Sequence, residues 1–344
     1  AVSTVERAQK MNTACESKTS TPGLLDHIDT ISAARDLDIL RAVDGQQTLT
    51  YLGLSYGTYL GATYAELFPG TTGRLVLDGA VDPSLSFEEL NLGQAKAFEA
   101  SLRTYVENCQ SSKGCPLSGD VDSGVSQIRE FLESVKTAPI PTSDDKRPLT
   151  YDLAVNGVLG SLYQTDLWPA LSQALTQATG GSGTQDGSGL LMLADAFATR
   201  QADGSYSGNE SEAIMPINCL DFPVQGDEAS WEESATAIKE ASPTFGSQLL
   251  YSNAYCQGWG HESTRKREKI TAPGTAPILV VGTTGDPATP YEWSEALAEQ
   301  LDSGQLLTWK GDGHTAYGRS NDCVTNAVDA YLLNGTMPDE GLTC

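Results

Sequence analysis

TLTYLGLSYGTYLGATYAEL, residues Thr48–Leu67, is the stretch that decides the fold. Thr48–Leu52 is β-branched and apolar and reads as a short strand, the next five residues as a tight corner, and the Ala-rich remainder as a helix. Gly53, Ser55 and Gly57 match the G-x-S-x-G nucleophile elbow. A nucleophile on a strand-to-helix corner needs a strained backbone, and side chains two residues to either side would collide with it; glycine at both places removes the collision. The Ser55 hydroxyl would then stand above the sheet at a helix N-terminus, where free N–H groups favour a developing anion. Gly57 and Gly61 would give that helix a smooth face for the sheet. In a chain this rich in Gly and Ser the pattern alone is weak; its place between strand and helix gives it meaning.

A second apolar strand, Arg74–Asp78, opens into the Gly/Pro/Asp loop Gly79–Ser84, and strand, helix, strand in this order is the signature of a parallel α/β sheet. Upstream, Val2–Ala14 reads as helical, Thr21–Gly23 as a turn, and Leu24–Val43 as a helical stretch capped at Gly45. From Phe87 to Lys269 helical segments dominate: Glu88–Asn108, Val121–Val135, Leu153–Tyr163, Trp168–Ala178, Leu190–Thr199 and Trp231–Ala241. Gly180–Gly189, GGSGTQDGSG, reads as a flexible link. The sheet resumes with strand Pro277–Gly282, helix Pro290–Leu301, strand Gln305–Trp309 and helix Asp322–Leu333. The expected organisation is a first core part at 1–86, a helical lid at 87–269 and a second core part at 270–344.

With 344 residues, 39 % of them hydrophobic, the chain has ample material for a large core. A net charge of −24 argues against nucleic acid and anionic membrane surfaces as partners. The same charge could draw a cationic group such as the free amino terminus of a peptide. No apolar run approaches membrane-spanning length, and the polar Ala1–Lys10 reads as a segment within a fold rather than a leader. Seven cysteines without zinc spacing point to disulfides and an extracytoplasmic home. Cys109 with Cys115 would close a short loop; Cys219 with Cys256 and Cys323 with Cys344 are the natural remaining pairs, though connectivity does not follow from spacing alone. Cys15 is left over, either free or paired outside this chain.

An activated serine needs a base, normally histidine, and the histidine needs a carboxylate that fixes its tautomer. In the order Ser, acid, His, each past the carboxyl end of a strand, Asp286 in GTTGDPATP and His314 in GDGHTAYG occupy the required places. His27 lies ahead of the elbow on a surface helix, His261 within the insertion reads rather as a substrate contact or an ordinary loop histidine, and Asp312, two before His314, is the rival acid, although adjacent placement would strain the histidine loop. One oxyanion donor is the N–H of Tyr56. A second should come from a loop after an earlier strand, and no Gly-rich loop of that kind precedes Ser55. The N-terminal strands of the sheet are therefore expected to lie outside this chain, carried by a separate N-terminal fragment to which Cys15 could pair.

GLSYGTYLGATYAELFP, RLVLDGAVDP, INCLDFP, ILVVGTTGDPATP and GDGHTAYG together resemble the secreted tripeptidyl aminopeptidase-like α/β hydrolases of actinomycetes, in the prolyl aminopeptidase group of serine peptidases. The resemblance covers most of the chain and is weakest in the lid. It implies an α/β-hydrolase core, a helical lid and a TAP-like C-terminal portion holding acid and base. It carries Ser55, Asp286 and His314 over as a triad, and implies cleavage of short peptides from a free amino terminus, with no cofactor or metal. Exopeptidase action would need lid carboxylates: Asp221 first, then Glu262 and Glu228, with Tyr255, Trp259 and Trp231 candidates for a side-chain pocket. Asp78 is expected to fix a loop. A carboxylesterase or lipase-type hydrolase of the same fold and a catalytically silent binding scaffold are the competing readings.

Overall fold

The computed structural model describes residues 1–181 and 183–344; Ser182, in the stretch read as a flexible link, lies outside them. Four strands, β1 (Leu49–Leu54), β2 (Thr72–Asp78), β3 (Ile278–Gly285) and β4 (Gly304–Asp312), form one parallel sheet in the order β1-β2-β3-β4. Leu54 pairs with Asp78, Asp78 with Val281, and Gly285 with Asp312, so all four carboxyl ends open on one edge. β2 and the start of β3 are almost wholly buried, as apolar runs covered on both faces must be.

The helices run in chain order from α1 (Val2–Lys18) and α2 (Thr30–Val43) to α3 (Tyr56–Leu67), which follows the corner. Between β2 and β3 lie α4 (Phe87–Ser111), α5 (Val121–Thr137), α6 (Tyr151–Ser161), α7 (Trp168–Ala178), α8 (Ser188–Phe197), α9 (Glu210–Asp221), α10 (Glu228–Ala241) and α11 (Ser252–Trp259). α12 (Tyr291–Gln300) and α13 (Asp322–Asn334) return to the sheet. Side chains alternate across the sheet with period two. Leu75, Leu77, Ile278 and Val280 pack against Tyr59 and Ala62 of α3 and Leu297 of α12. Val76, Leu279, Val281 and Leu307 meet Val324, Val328 and Tyr331 of α13 on the other face. This is a parallel α/β core with helices on both faces of the sheet, as the strand and helix order predicted.

The inserted helices carry a core of their own, built from α4 to α8 around Leu102, Leu149, Leu162 and Leu171. A smaller cluster, Phe87, Cys219, Phe222, Cys256 and Trp259, receives Met11 and Cys15 from α1. Thus α1, read from sequence with the first core part, packs on the insertion. The Leu24–Val43 stretch is also not one helix: the Asp29 carboxylate accepts from Ile31 N and Ser32 N and starts α2 at Thr30, after a separate 3₁₀ turn at Leu24–Asp26. Cysteine pairs 109–115, 219–256 and 323–344 form disulfides, and Cys15 has no disulfide partner among the described residues. β1 is an edge strand, only one of its six residues is buried, and Ile39, Leu40 and Val43 of α2 expose more than half of their surface.

Candidate active site

The corner between β1 and α3 is tight enough to dictate its residues. A Cβ on Gly53 would sit 2.4 Å from Gly57 O, so the glycine is required by the backbone of the following helix rather than by Ser55 itself. A Cβ on Gly61 would come within 2.7 Å of both Leu77 and Tyr51, which is how closely α3 lies on the sheet. Ser55 takes φ 55° and ψ −124°, a conformation that costs a non-glycine residue about 1–3 kcal/mol. It is held there from several directions: Ser55 N donates to Asp78 O at 2.9 Å, Thr58 Oγ1 donates to Ser55 O at 2.6 Å, and Tyr51 Oη donates to Gly57 O at 2.8 Å. Tyr56 is the first residue of α3, so its N–H has no acceptor within the helix.

Asp286 and His314 come from the loops after β3 and β4 and meet at the same edge. His314 Nδ1 lies 2.9 and 3.0 Å from the two carboxylate oxygens of Asp286. The Asp286 side chain is fully buried and accepts further bonds from Ala288 N, Thr289 N, Thr289 Oγ1 and Thr315 N. With Nδ1–H directed at that carboxylate, Nε2 carries the lone pair a general base needs. The ring is further fixed by Tyr163, whose C=O takes His314 N–H at 2.8 Å and whose own ring stands edge-on at 5.2 Å.

A single residue ties the serine corner to the histidine loop. Asp78 accepts Ser55 N–H on its main-chain oxygen, while its fully buried carboxylate accepts Ala316 N–H at 2.9 Å and Tyr317 N–H at 2.7 Å. Burial pushes the Asp78 carboxyl up to about 6, against the pull of those two amides. The sequence reading of Asp78 as a loop-fixing residue matches this arrangement. Among the described residues no hydrogen bond joins Ser55 Oγ to the His314 ring; such contacts commonly close only around substrate.

The other histidines stand elsewhere. His261 bridges Asp26 Oδ1 at 2.6 Å and Asn12 Oδ1 at 3.1 Å, and His27 is exposed. Asp312 is half-buried at the end of β4, with burial raising its carboxyl, and makes no hydrogen bond to His314.

Asp221 is fully buried, paired with Arg265 Nη1 at 2.9 Å and bonded to Thr30. Its carboxylate is therefore occupied within the protein and not open to a substrate ammonium. Glu262 and Glu228 are exposed. Trp259 is wholly buried and Tyr255 half-buried in the cluster joining α1 to α11, and Trp231 donates Nε1–H to Gln225 O; these aromatics pack the insertion. Sequence reasoning did not single out Thr289, three residues past Asp286, where an Asp–Pro turn brings hydroxyl and amide back onto the carboxylate. Nor did it find Thr30 or Arg265, whose partners lie 191 and 44 residues away.

Residues 242–344, which include Asp286 and His314, match the family model described as TAP-like protein. Over 329 residues the chain is 36 % identical to serine protease Hip1 of Mycobacterium tuberculosis, covering 93 % of this chain and 62 % of that protein. It is also 36 % identical over 323 residues to carboxylesterase B of the same organism, covering 93 % and 61 %. With tripeptidyl aminopeptidase of Streptomyces lividans it shares 29 % identity over 337 residues, covering 93 % and 59 %. The chain thus spans about three-fifths of the length of these curated relatives.

Proposed function

The chain is a TAP-like α/β hydrolase, and from that premise we propose that it cleaves short peptides from a free amino terminus by acyl transfer. The observation that carries the reading is the Asp286–His314 pair, buried and joined through Nδ1, at the sheet edge that also holds strained Ser55. In this reading Ser55 attacks the scissile carbonyl, and His314 Nε2 takes the serine proton and returns it to the leaving amine. Asp286 holds the imidazole tautomer, Tyr56 N–H stabilises the oxyanion, and water releases the acyl-enzyme.

A second oxyanion donor is assigned to a segment outside residues 1–344, seated on the open edge of β1. The exposed apolar Leu54 on β1, and the exposed Ile39, Leu40 and Val43 of α2, which packs on α3, support the assignment. The three disulfides support an extracytoplasmic location. With Asp221 neutralised by Arg265, Glu262 and Glu228 are the candidate carboxylates left for a substrate ammonium.

A panel of short peptides with free and blocked amino termini, together with p-nitrophenyl esters, tests the reading. Release of short amino-terminal fragments from free peptides only is the expected result. Ester turnover without peptide cleavage would make the chain a carboxylesterase, and silence on both, with the segment that carries the second oxyanion donor present, would make it a binding scaffold.

A further inference from the structure

A buried chain of hydrogen bonds runs from the inserted helices to the residue after Ser55. Asp221 closes α9, two residues past Cys219, whose disulfide to Cys256 ties α9 to α11. Its Oδ1 accepts from Arg265 Nη1 at 2.9 Å and from Thr30 N at 2.9 Å. Thr30 is the first residue of α2, so that N–H is one the helix cannot satisfy itself, and an anion at this end is favoured. Thr30 Oγ1 lies 2.5 Å from Asp221 Oδ2 and 2.5 Å from Tyr56 Oη. Donor accounting fixes the direction. Burial pushes the Asp221 carboxyl up, against the pull of the Thr30 and Arg265 bonds; with the Arg265 guanidinium on Oδ1 holding it as a carboxylate, it only accepts, so the Thr30 hydroxyl spends its one hydrogen on Oδ2. The Tyr56 hydroxyl must then donate to Thr30. Burial raises the Tyr56 phenol well above its ordinary value, which keeps that hydrogen in place.

We propose that the relay Asp221–Thr30–Tyr56 is a positioning device for the oxyanion site, anchoring the Tyr56 side chain so that its main-chain N–H stays aimed at the developing charge. The inference rests on the reading of Ser55 as nucleophile. Tyr56 shares a peptide plane with Ser55, whose φ of 55° would relax if the helix start were free to turn. Tyr51 Oη pins Gly57 O on one side of that start, and the Thr30 hydroxyl pins Tyr56 on the other. The far end of the relay belongs to the insertion, so the placement of α9 reaches the reacting corner through two side chains.

The test uses the full chain with Tyr56→Phe, Thr30→Val and Thr30→Ser. Turnover of p-nitrophenyl butyrate is normalised to sites titrated with a fluorophosphonate, and melting temperature is recorded beside it. Losing one such hydrogen bond is expected to lower kcat about three- to ten-fold in Tyr56→Phe and Thr30→Val, with KM unchanged and phosphonylation slowed in parallel. Thr30→Ser, which keeps the hydroxyl, should return kcat to within about two-fold of the parent. The inference is overturned if both variants keep the parental kcat per titrated site while only melting temperature moves, or if Thr30→Ser is as slow as Thr30→Val. Should Thr30→Val not fold, Tyr56→Phe decides alone. A parent chain inert to the fluorophosphonate refutes the nucleophile reading instead, before the relay is tested.

Discussion

Replacing Asp78 by asparagine should alter stability in a pH-dependent way whose sign the structure fixes. The carboxyl is raised from 3.8 to about 6 by burial. Between those values the folded chain holds a proton that the unfolded chain has released, so the group's contribution to stability declines as pH rises. Over the interval of about 2 pH units the decline is at most about 3 kcal/mol, taking about 1.4 kcal/mol for each unit. Asparagine cannot titrate and removes this slope. Its one oxygen can still take both amides, which already share Oδ2, but its NH2 then replaces Oδ1 at 3.0 Å from Ala316 N, donor against donor, and an unmet buried donor costs about 1–3 kcal/mol. The variant should therefore be less stable than the parent at every pH, and the gap should be widest near pH 4 and narrow above pH 6.5. Urea unfolding of both proteins at half-unit steps from pH 4 to 7.5 reads this directly. Parallel profiles, with a constant gap across the range, would refute the assignment of a raised carboxyl to Asp78.

Ser55→Gly should abolish turnover yet raise the unfolding free energy by about 1 kcal/mol, because glycine adopts φ 55° without strain; equal or lower stability in urea would argue against stored strain at the corner. Asp286→Asn should lower kcat on p-nitrophenyl esters by about 10⁴-fold through loss of the His314 tautomer, and a fall of less than ten-fold would remove Asp286 from the proposed triad. Glu262→Gln should raise KM for peptides with a free amino terminus and leave blocked esters unaffected; an equal change for both substrate types would take Glu262 out of ammonium recognition.

The parts of this molecule legible from sequence are those set by local pattern. The strand before Ser55, the glycines around it and the apolar runs Arg74–Asp78 and Pro277–Gly282 each follow from period, β-branching and turn residues within a dozen positions. The pairing of Asp286 with His314 was legible because each follows a strand of one parallel sheet, and strands of one sheet end together. Helices α9 and α11 escaped notice for local reasons: α9 carries Pro216 in its interior, and α11 is only eight residues long. The break before α2 was hidden by apolar spacing that continued through Asp29, whose capping role shows only in its bonds to Ile31 N and Ser32 N. Asp221 looked available to a ligand because nothing in INCLDFP reveals that Arg265 and Thr30 will claim both oxygens. Tyr255 and Trp259 carry the same lesson: an aromatic on a short helix reads alike whether it faces a cleft or, as here, a packed cluster.

The central claim is that Ser55 is a nucleophile activated by His314, and fluorophosphonate labelling followed by peptide mass mapping tests it most directly. The adduct should fall on the peptide containing Ser55 and on no other serine. It should vanish in Ser55→Ala and form at least about a hundred-fold more slowly in His314→Ala. An unlabelled chain, an adduct on a different serine, or labelling of Ser55 at the parental rate without the His314 imidazole would contradict it.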